Sequence, residues 1–386
     1  MTGFAAYQNE IYLQGLAGTL PPFTTDPEGL EASARERLGP GPFWYVAGAA
    51  GGGSTARANR EAFDRWRIVP RMLTDATRRH LGVSVLGTPA PAPVLLAPLG
   101  VQSILHPEGE LATARAAAEL GVPFVLSTAS SHTIEDVAEA AGDAARWFQL
   151  YWPDDPDVCA SILDRARNSG YRVLVVTLDT WTLAWRPHDL DQAYLPFLRG
   201  VGTAIPFSDP AFRAGLAAPP EDDLPKAILR WVRLFTGTDR SWDQLSFLRE
   251  HWDGPIVLKG VQHPDDARKA VDAGVQGIVV SNHGGRQVDG AVGSLDVLPD
   301  IADAVGEQVE VLFDSGIRCG ADIVKALALG AKAVLVGRPF AYGLAHGGQV
   351  GVRHVLRGLL ADFELTLALS GHRSPAELSR EALRPR

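Results

Sequence analysis

From Pro93 onward the chain alternates short apolar runs with helical stretches, and it does so eight times. The runs predicted as strands are Val94–Ala97, Phe124–Ser127, Trp147–Leu150, Val173–Leu178, Ile256–Leu258, Gly277–Val280, Val309–Phe313 and Ala333–Val336. The stretches Glu108–Leu120, Ile134–Ala141, Asp157–Ser169, Trp242–Arg249, Pro264–Ala273, Leu295–Val305, Ala321–Leu329 and Gly348–Leu369 read as helices. An open doubly wound sheet would alternate in the same way. Eight evenly spaced units favour closure into an α/β, (β/α)8 barrel of the TIM type. No repeat of the kind that marks a solenoid is present.

The expected organisation is a single domain over residues 1–386, with an N-terminal extension (1–92), the barrel (93–369) and a tail (370–386). Within the extension, Glu28–Leu38 and Ala56–Trp66 read as helices, and Gly39-Pro40-Gly41-Pro42 reads as a breaker. Gly51 to Gly53 reads as a flexible joint, beside aromatics (Phe43, Trp44, Tyr45) that hint at a mobile rim. One connection breaks the barrel's rhythm. After the fourth strand, residues 180–241 form an insertion holding Pro196, Pro206, Pro210, Pro219 and Pro220, with a helical pattern from Leu224 to Leu234. Connections this long inside a compact domain are usually functional or disordered, and its place at the strands' carboxyl end favours a lid.

Composition excludes several classes of partner. Lys and Arg number 36 against 45 Asp and Glu, a net charge of −9 with scattered basic residues, which argues against nucleic acid and anionic membrane. The two cysteines, Cys159 and Cys319, have no metal-ligand spacing, so no disulfide framework and no metal site is expected. With neither a signal-peptide pattern nor a membrane-length apolar run, the expectation is a soluble, cytoplasmic protein.

The sixth strand ends in Ser281-Asn282-His283-Gly284-Gly285-Arg286-Gln287. A histidine titrates near neutrality and can take a proton, and an arginine offers a planar fork for a carboxylate. Paired glycines let backbone approach a ligand closely. Together they suit an acid substrate that is to lose a proton; the plain alternative is a polar loop with a surface His and Arg. The other strand ends add Pro98, Leu99 and Gly100, then Ser127, Gln149 and Tyr151, Thr177 and Asp179, and Lys259. After strands seven and eight come Asp314-Ser315-Gly316-Ile317-Arg318 and Gly337-Arg338-Pro339. Glycine-flanked turns with arginines at those two places make a phosphate site in many barrels. Lys259 has three readings: a Schiff-base lysine, a partner for an anionic ring or phosphate, or half of a structural ion pair. Asp179 is an acid in its own right or the partner that orients a catalytic imidazole. Cys319 reads better as structural than as a nucleophile.

These residues resemble the FMN-dependent 2-hydroxy-acid oxidase family over nearly the whole chain. The strongest motif is Ser281 to Gln287, supported by Tyr45-Val46-Ala47-Gly48, Phe148-Gln149-Leu150-Tyr151, Leu258-Lys259-Gly260 and Gly337-Arg338-Pro339. Within the family the chain is most similar to the lactate 2-monooxygenases. The stretches Asn9 to Tyr12, Leu178 to Trp181, Trp185-Arg186-Pro187, Phe197 to Gly200, Gln262 to Arg268, Phe313 to Arg318 and the tail from Ala382 carry that likeness, with Gly100 as a further marker. It departs from that pattern at Gln102 to Pro107 and at Trp152, where a tyrosine is expected.

The resemblance implies roles. His283 would be the base, with Asp179 supporting its cation. Arg186 and Arg286 would clamp the substrate carboxylate, Tyr45 would close over it, and Tyr151 would bond near the reacting oxygen. Pro98 to Gly100, Ser127, Gln149, Thr177, Lys259 and Ser281 would hold the FMN ring and ribityl chain. Asp314, Ser315, Gly316, Arg318, Gly337 and Arg338 would take the ribityl tail and phosphate. The implied reaction turns L-lactate or a similar 2-hydroxy acid and dioxygen into a decarboxylated acid, carbon dioxide and water. The alternatives are an oxidase releasing keto acid and hydrogen peroxide, and a flavin-binding electron-transfer protein. The family also implies a homo-oligomer, a tetramer or larger.

Overall fold

In the computed structural model, which describes residues 3–237 and 240–386, eight parallel strands close into a barrel. Met1, Thr2 and two residues of the insertion, Thr238 and Asp239, lie outside the described residues. The strands are β1 (Val94–Leu96), β2 (Phe124–Ser127), β3 (Arg146–Leu150), β4 (Leu174–Thr177), β5 (Ile256–Val261), β6 (Gly277–Val280), β7 (Glu310–Phe313) and β8 (Ala333–Val336). Each pairs with its sequence neighbours, and β8 pairs with β1 to complete the ring. Every strand is near the length and place expected from its apolar run.

Side chains alternate along a strand, so each strand carries one inward and one outward set. Leu95, Val125, Trp147, Val175, Val257, Val279, Leu312 and Leu335, one from each strand, form their own buried cluster inside the barrel. Their neighbours Leu96, Leu126, Phe148, Val176, Leu258, Val280, Phe313 and Val336 belong to the core shared with the helices. Each such side chain contributes roughly 1.5–3 kcal/mol on burial, which fixes the register, because a one-residue slip would exchange the two sets. A hairpin, Val83–Val85 with Thr88–Ala90, plugs the other end of the barrel: Val85 is fully buried in the inner cluster, and the Trp147 indole donates to Thr88 Oγ1 at 3.0 Å.

Several expectations about the flanks need correction. Gly39 to Pro42 does not break the chain; a helix runs from Pro40 to Ala47, because proline's missing N–H costs nothing in the first turn. A helix at Ala6–Leu16 has no buried residue, so no apolar stripe announced it. The glycine run is no free joint: Gly51 N–H donates to Trp185 O at 2.9 Å, and Gly52 N–H and Ser54 N–H donate to the Asp289 carboxylate, both at 2.7 Å. The last helix begins at Arg338, not Gly348, and continues to Leu369 across a kink at Gly347 and Gly348. The insertion folds into short helices, Pro187–Asp191, Ala204–Ser208 and Pro210–Ala214, followed by the longer Leu224–Phe235. Among the described residues no helix is long and apolar enough to cross a membrane.

Candidate active site

The inward set changes character one layer above the apolar cluster. Two residues on from Val125, Val175 and Val279 stand Ser127, Thr177 and Ser281; two on from Trp147, Val257 and Leu312 stand Gln149, Lys259 and Asp314. Strand periodicity thus delivers six polar groups to the carboxyl-end mouth, all buried. Lys259 Nζ donates to Ser281 Oγ at 3.0 Å and pairs with Asp314 Oδ2 at 3.1 Å. Burial pulls its pKa down, yet the Asp314 and Asp179 charges outweigh it and raise the value, so the ammonium persists. A persistently charged amine is a poor Schiff-base nucleophile, so of its three readings the ion pair and the partner for an anionic ring remain. Ser127 Oγ donates to Gln149 Oε1 at 2.8 Å, which leaves Gln149 Nε2 buried with no partner. A buried donor of that kind is expensive unless a ligand accepts from it.

Above this floor sits the turn after β6. His283, Gly284 and Gly285 all have left-handed backbone, with φ of 58°, 67° and 75°. Gly285 has no alternative there: a Cβ would stand 2.5 Å from the backbone nitrogen of Ala56. Asn282 anchors the turn by a reciprocal amide pair with Asn59, at 2.8 and 2.7 Å, and by accepting Gly285 N–H at 3.0 Å. His283 Nδ1 lies 2.8 Å from Asp179 Oδ1 and 3.0 Å from Thr180 Oγ1, whose own hydroxyl donates to Asp179 Oδ1 at 2.9 Å. Nδ1 therefore faces acceptors and carries the proton, which leaves the Nε2 lone pair for chemistry. Burial lowers the His283 pKa despite the opposing charge of Asp179. Burial alone would raise Asp179, but the His283 and Lys259 charges and the bonds from His283 and Thr180 bring it down to about 2. The resting pair is a neutral imidazole beside a carboxylate.

The cavity at this mouth is lined by Tyr45, Pro98, Leu99, Gly100, Tyr151, Arg186, Lys259, His283, Arg286, Asp314 to Gly316, Arg318, Gly337 and Arg338. Of the residues singled out from the sequence, Asp179, Ser127, Gln149, Thr177 and Ser281 stand behind these walls. Gly100 lets the loop after β1 lie against the loop after β2, since a Cβ would come within 2.7 Å of Ala129 O. Arg186 donates to Arg286 O at 3.0 Å and to Gln287 Oε1 at 2.6 Å; Arg286 donates to Gly48 O at 3.1 Å and stands 5.3 Å from the Tyr45 ring centre. Arg338 gives its nitrogens to the carbonyls of Val46, Gly48 and Gly284. At this end Lys259 is paired with Asp314 and the Asp179 carboxylate faces the neutral His283 imidazole, and among the described residues Arg186, Arg286, Arg318 and Arg338 have no carboxylate partner. Burial, then Arg186 and Arg338, push Arg286 down to about 9; burial, then Arg338, push Arg318 down to about 10. Excess positive charge in a buried cavity calls for anions. Tyr151 keeps its proton, because burial and the Asp179 charge raise it to about 12.

Sequence reasoning gave no role to Thr180 or Gln287, although both adjoin predicted residues. Gln287 Nε2 donates to Asp179 O at 2.6 Å and Thr182 O at 2.9 Å while its Oε1 accepts from Arg186, so one amide ties Asp179, the His283 turn and Arg186. Nor did it find the apolar wall supplied by the insertion, where Phe197, Trp231 and Phe235 stack in sequence at 4.6 and 5.8 Å. Cys319 has its thiol pushed up to about 11, first by burial and then by Asp322, which suits a structural role. No group of three metal-binding side chains occurs among the described residues.

The donor set fits a mononucleotide flavin: an unpartnered amide and a lysine at the barrel mouth for a ring with carbonyls and nitrogens, and unpaired arginines after β7 and β8 for a phosphate. A family model described as FMN-dependent dehydrogenase matches residues 34–385. The chain is 51% identical to the FMN-dependent alpha-hydroxy acid dehydrogenase qulF of Penicillium citrinum, over 99% of this chain and 96% of that one. It is 42% identical to the L-lactate oxidase of Lysinibacillus sphaericus, over 89% of this chain and 88% of the relative. The crystal structure of mandelate oxidase superposes with a TM-score of 0.83 at 38% identity, covering 94% of this chain and 98% of that one. Barrel, polar floor, histidine–aspartate pair and relatives agree: the chain belongs to the FMN-dependent dehydrogenase family and is a flavin-dependent oxidoreductase that oxidises 2-hydroxy acids.

Proposed function

We propose that the chain oxidises L-lactate or a similar small L-2-hydroxy acid at the expense of dioxygen, and that it retains the keto acid until it is oxidatively decarboxylated. The overall balance is lactate plus dioxygen to acetate, carbon dioxide and water. The observation that carries the base assignment is the His283 imidazole, with Nδ1 committed to Asp179 and Nε2 left free in a cavity that holds unpaired arginines. In this reading Ser127, Gln149, Thr177, Lys259, Ser281 and the Pro98–Gly100 loop hold the flavin ring, and Asp314 to Gly316, Arg318, Gly337 and Arg338 hold its chain and phosphate. Bound there, FMN supplies a two-electron acceptor that dioxygen can reoxidise.

The chain's own residues do the rest. Arg286, with Arg186 beside it and Tyr45 over it, takes the substrate carboxylate, the anion that relieves their mutual repulsion. Tyr151, a protonated phenol, donates to the substrate oxygen. His283 Nε2 removes a proton from the bound acid, and Asp179 stabilises the imidazolium that results. Gln287 and Thr180 keep acid, base and arginine in register. Retention is supported by the insertion, whose Phe197–Trp231–Phe235 wall lines the same cavity and acts in this reading as a lid. The test is to supply L-lactate in air and quantify acetate, pyruvate, peroxide and oxygen together. Acetate matching oxygen consumed supports decarboxylation; pyruvate and peroxide in equal amounts make the protein an oxidase; no uptake with any 2-hydroxy acid revives electron transfer to a partner.

A further inference from the structure

Ser315 is in an unusual place for a residue with a side chain. It follows Asp314 at the end of β7 with φ of 80°, left-handed backbone that disfavours any Cβ. The residue is buried and its hydroxyl is fully used: it donates to Asp314 Oδ1 at 2.7 Å and accepts from Gly284 N–H at 3.0 Å and Asn282 N–H at 3.3 Å. Those two amides flank His283. The same turn is held on its other side by Ser281 Oγ, which accepts His283 N–H at 3.1 Å and Lys259 Nζ at 3.0 Å. With Lys259 paired to Asp314 Oδ2, the contacts close a ring: Lys259, Ser281, the His283 turn, Ser315, Asp314 and back to Lys259.

We propose that the Ser315 hydroxyl is a positioning group for His283, holding the strained turn that presents the imidazole, apart from any contact its backbone makes with the cofactor. Three consecutive left-handed residues do not persist on local preference alone, so something outside the turn must select that conformation. Ser315 reaches both amides that bracket the histidine from a different strand. Among the described residues no other side chain accepts from two of the turn's N–H groups. A strained serine that completes three hydrogen bonds is what such a device requires; glycine would suit the backbone better and could not make them. The inference rests on His283 being the base.

The test compares Ser315→Ala, which removes the hydroxyl alone, with Ser315→Gly, which removes it and relieves the backbone. Hydrogen exchange of the amides in 281–287 is read beside steady-state kinetics and flavin content. Both variants should exchange Asn282 and Gly284 N–H faster while amides in the other strands are unmoved. Both should lose kcat roughly 10- to 100-fold, the effect of a small misplacement of a reacting group, with KM little changed and flavin retained. The glycine variant should melt no lower than the alanine variant. Unchanged exchange, a normal kcat in either variant, or a rate loss accounted for by lost flavin would overturn the proposal. If the wild type oxidised no 2-hydroxy acid, the functional reading would fail, while faster exchange at the two amides would still establish Ser315 as the turn's support.

Discussion

Asp179 meets His283 through one oxygen: Oδ1 lies 2.8 Å from Nδ1, while Oδ2 is buried without a hydrogen-bond partner. A carboxylate held that way is already ionised before substrate arrives, and in the proposed reaction it stands beside the imidazolium that His283 becomes. The His283 pKa is lowered because burial outweighs the Asp179 charge. The base form is the active one, so kcat/KM should rise with pH along an acid limb whose midpoint lies below the ordinary histidine value, and then stay level through neutrality. Asp179→Asn removes the charge that raises the imidazole, so the limb should move to lower pH while the plateau drops roughly 100-fold or more. A pH profile of kcat/KM for both proteins checks this; a limb that moves upward in the variant contradicts it.

The surroundings of Arg286, burial first and then Arg186 and Arg338, resist its charge. An acid bound beside it relieves that repulsion, so Arg286→Lys, which loses the planar fork, should raise KM roughly 10- to 100-fold. An unreactive 2-keto acid should raise the melting temperature of the wild type and leave that of Arg286→Met unmoved, as measured by thermal unfolding with increasing ligand.

Gly285→Ala should be among the most damaging single changes. The new Cβ would need left-handed backbone and would stand 2.5 Å from Ala56 N, a main-chain atom that cannot swing aside. A loss of roughly 2–4 kcal/mol is expected, seen as a lower denaturant midpoint and loss of bound flavin.

The insertion's wall makes a separate prediction. Phe197 and Trp231 stack at 4.6 Å over the cavity, so Trp231→Ala opens the mouth without touching the base. Product partition should shift toward free keto acid and peroxide while hydroxy-acid consumption continues. The ratio of peroxide to oxygen consumed reads it directly, and an unchanged ratio would remove the wall from product retention.

The barrel was legible because its strands are continuous buried runs bounded by turn residues; Phe124–Ser127, Gly277–Val280 and Ala333–Val336 match to the residue. The strand Trp66–Ile68, paired with Leu383–Pro385 from the far end of the chain, was not, since three residues carry no period and the partner is distant. The first arm of the last helix was hidden by Gly343, Gly347 and Gly348, whose spacing mimics a loop although the arm packs Phe340 and Tyr342 into the core. At the site, ionisable residues read from the sequence, among them His283, Asp179, Lys259 and Arg286, come together at one mouth. Gln287 and Thr180 drew no role from the sequence, because amides and hydroxyls that orient others look like any polar loop residue until their partners are known.

The most direct measurement is anaerobic: mix the yellow protein with L-lactate and follow bleaching of the flavin absorbance, for the wild type and for His283→Gln. The wild type should bleach rapidly, and the variant, which keeps its flavin, should bleach more slowly by roughly 100- to 10,000-fold. Equal rates in the two proteins would take His283 out of the reaction as its base.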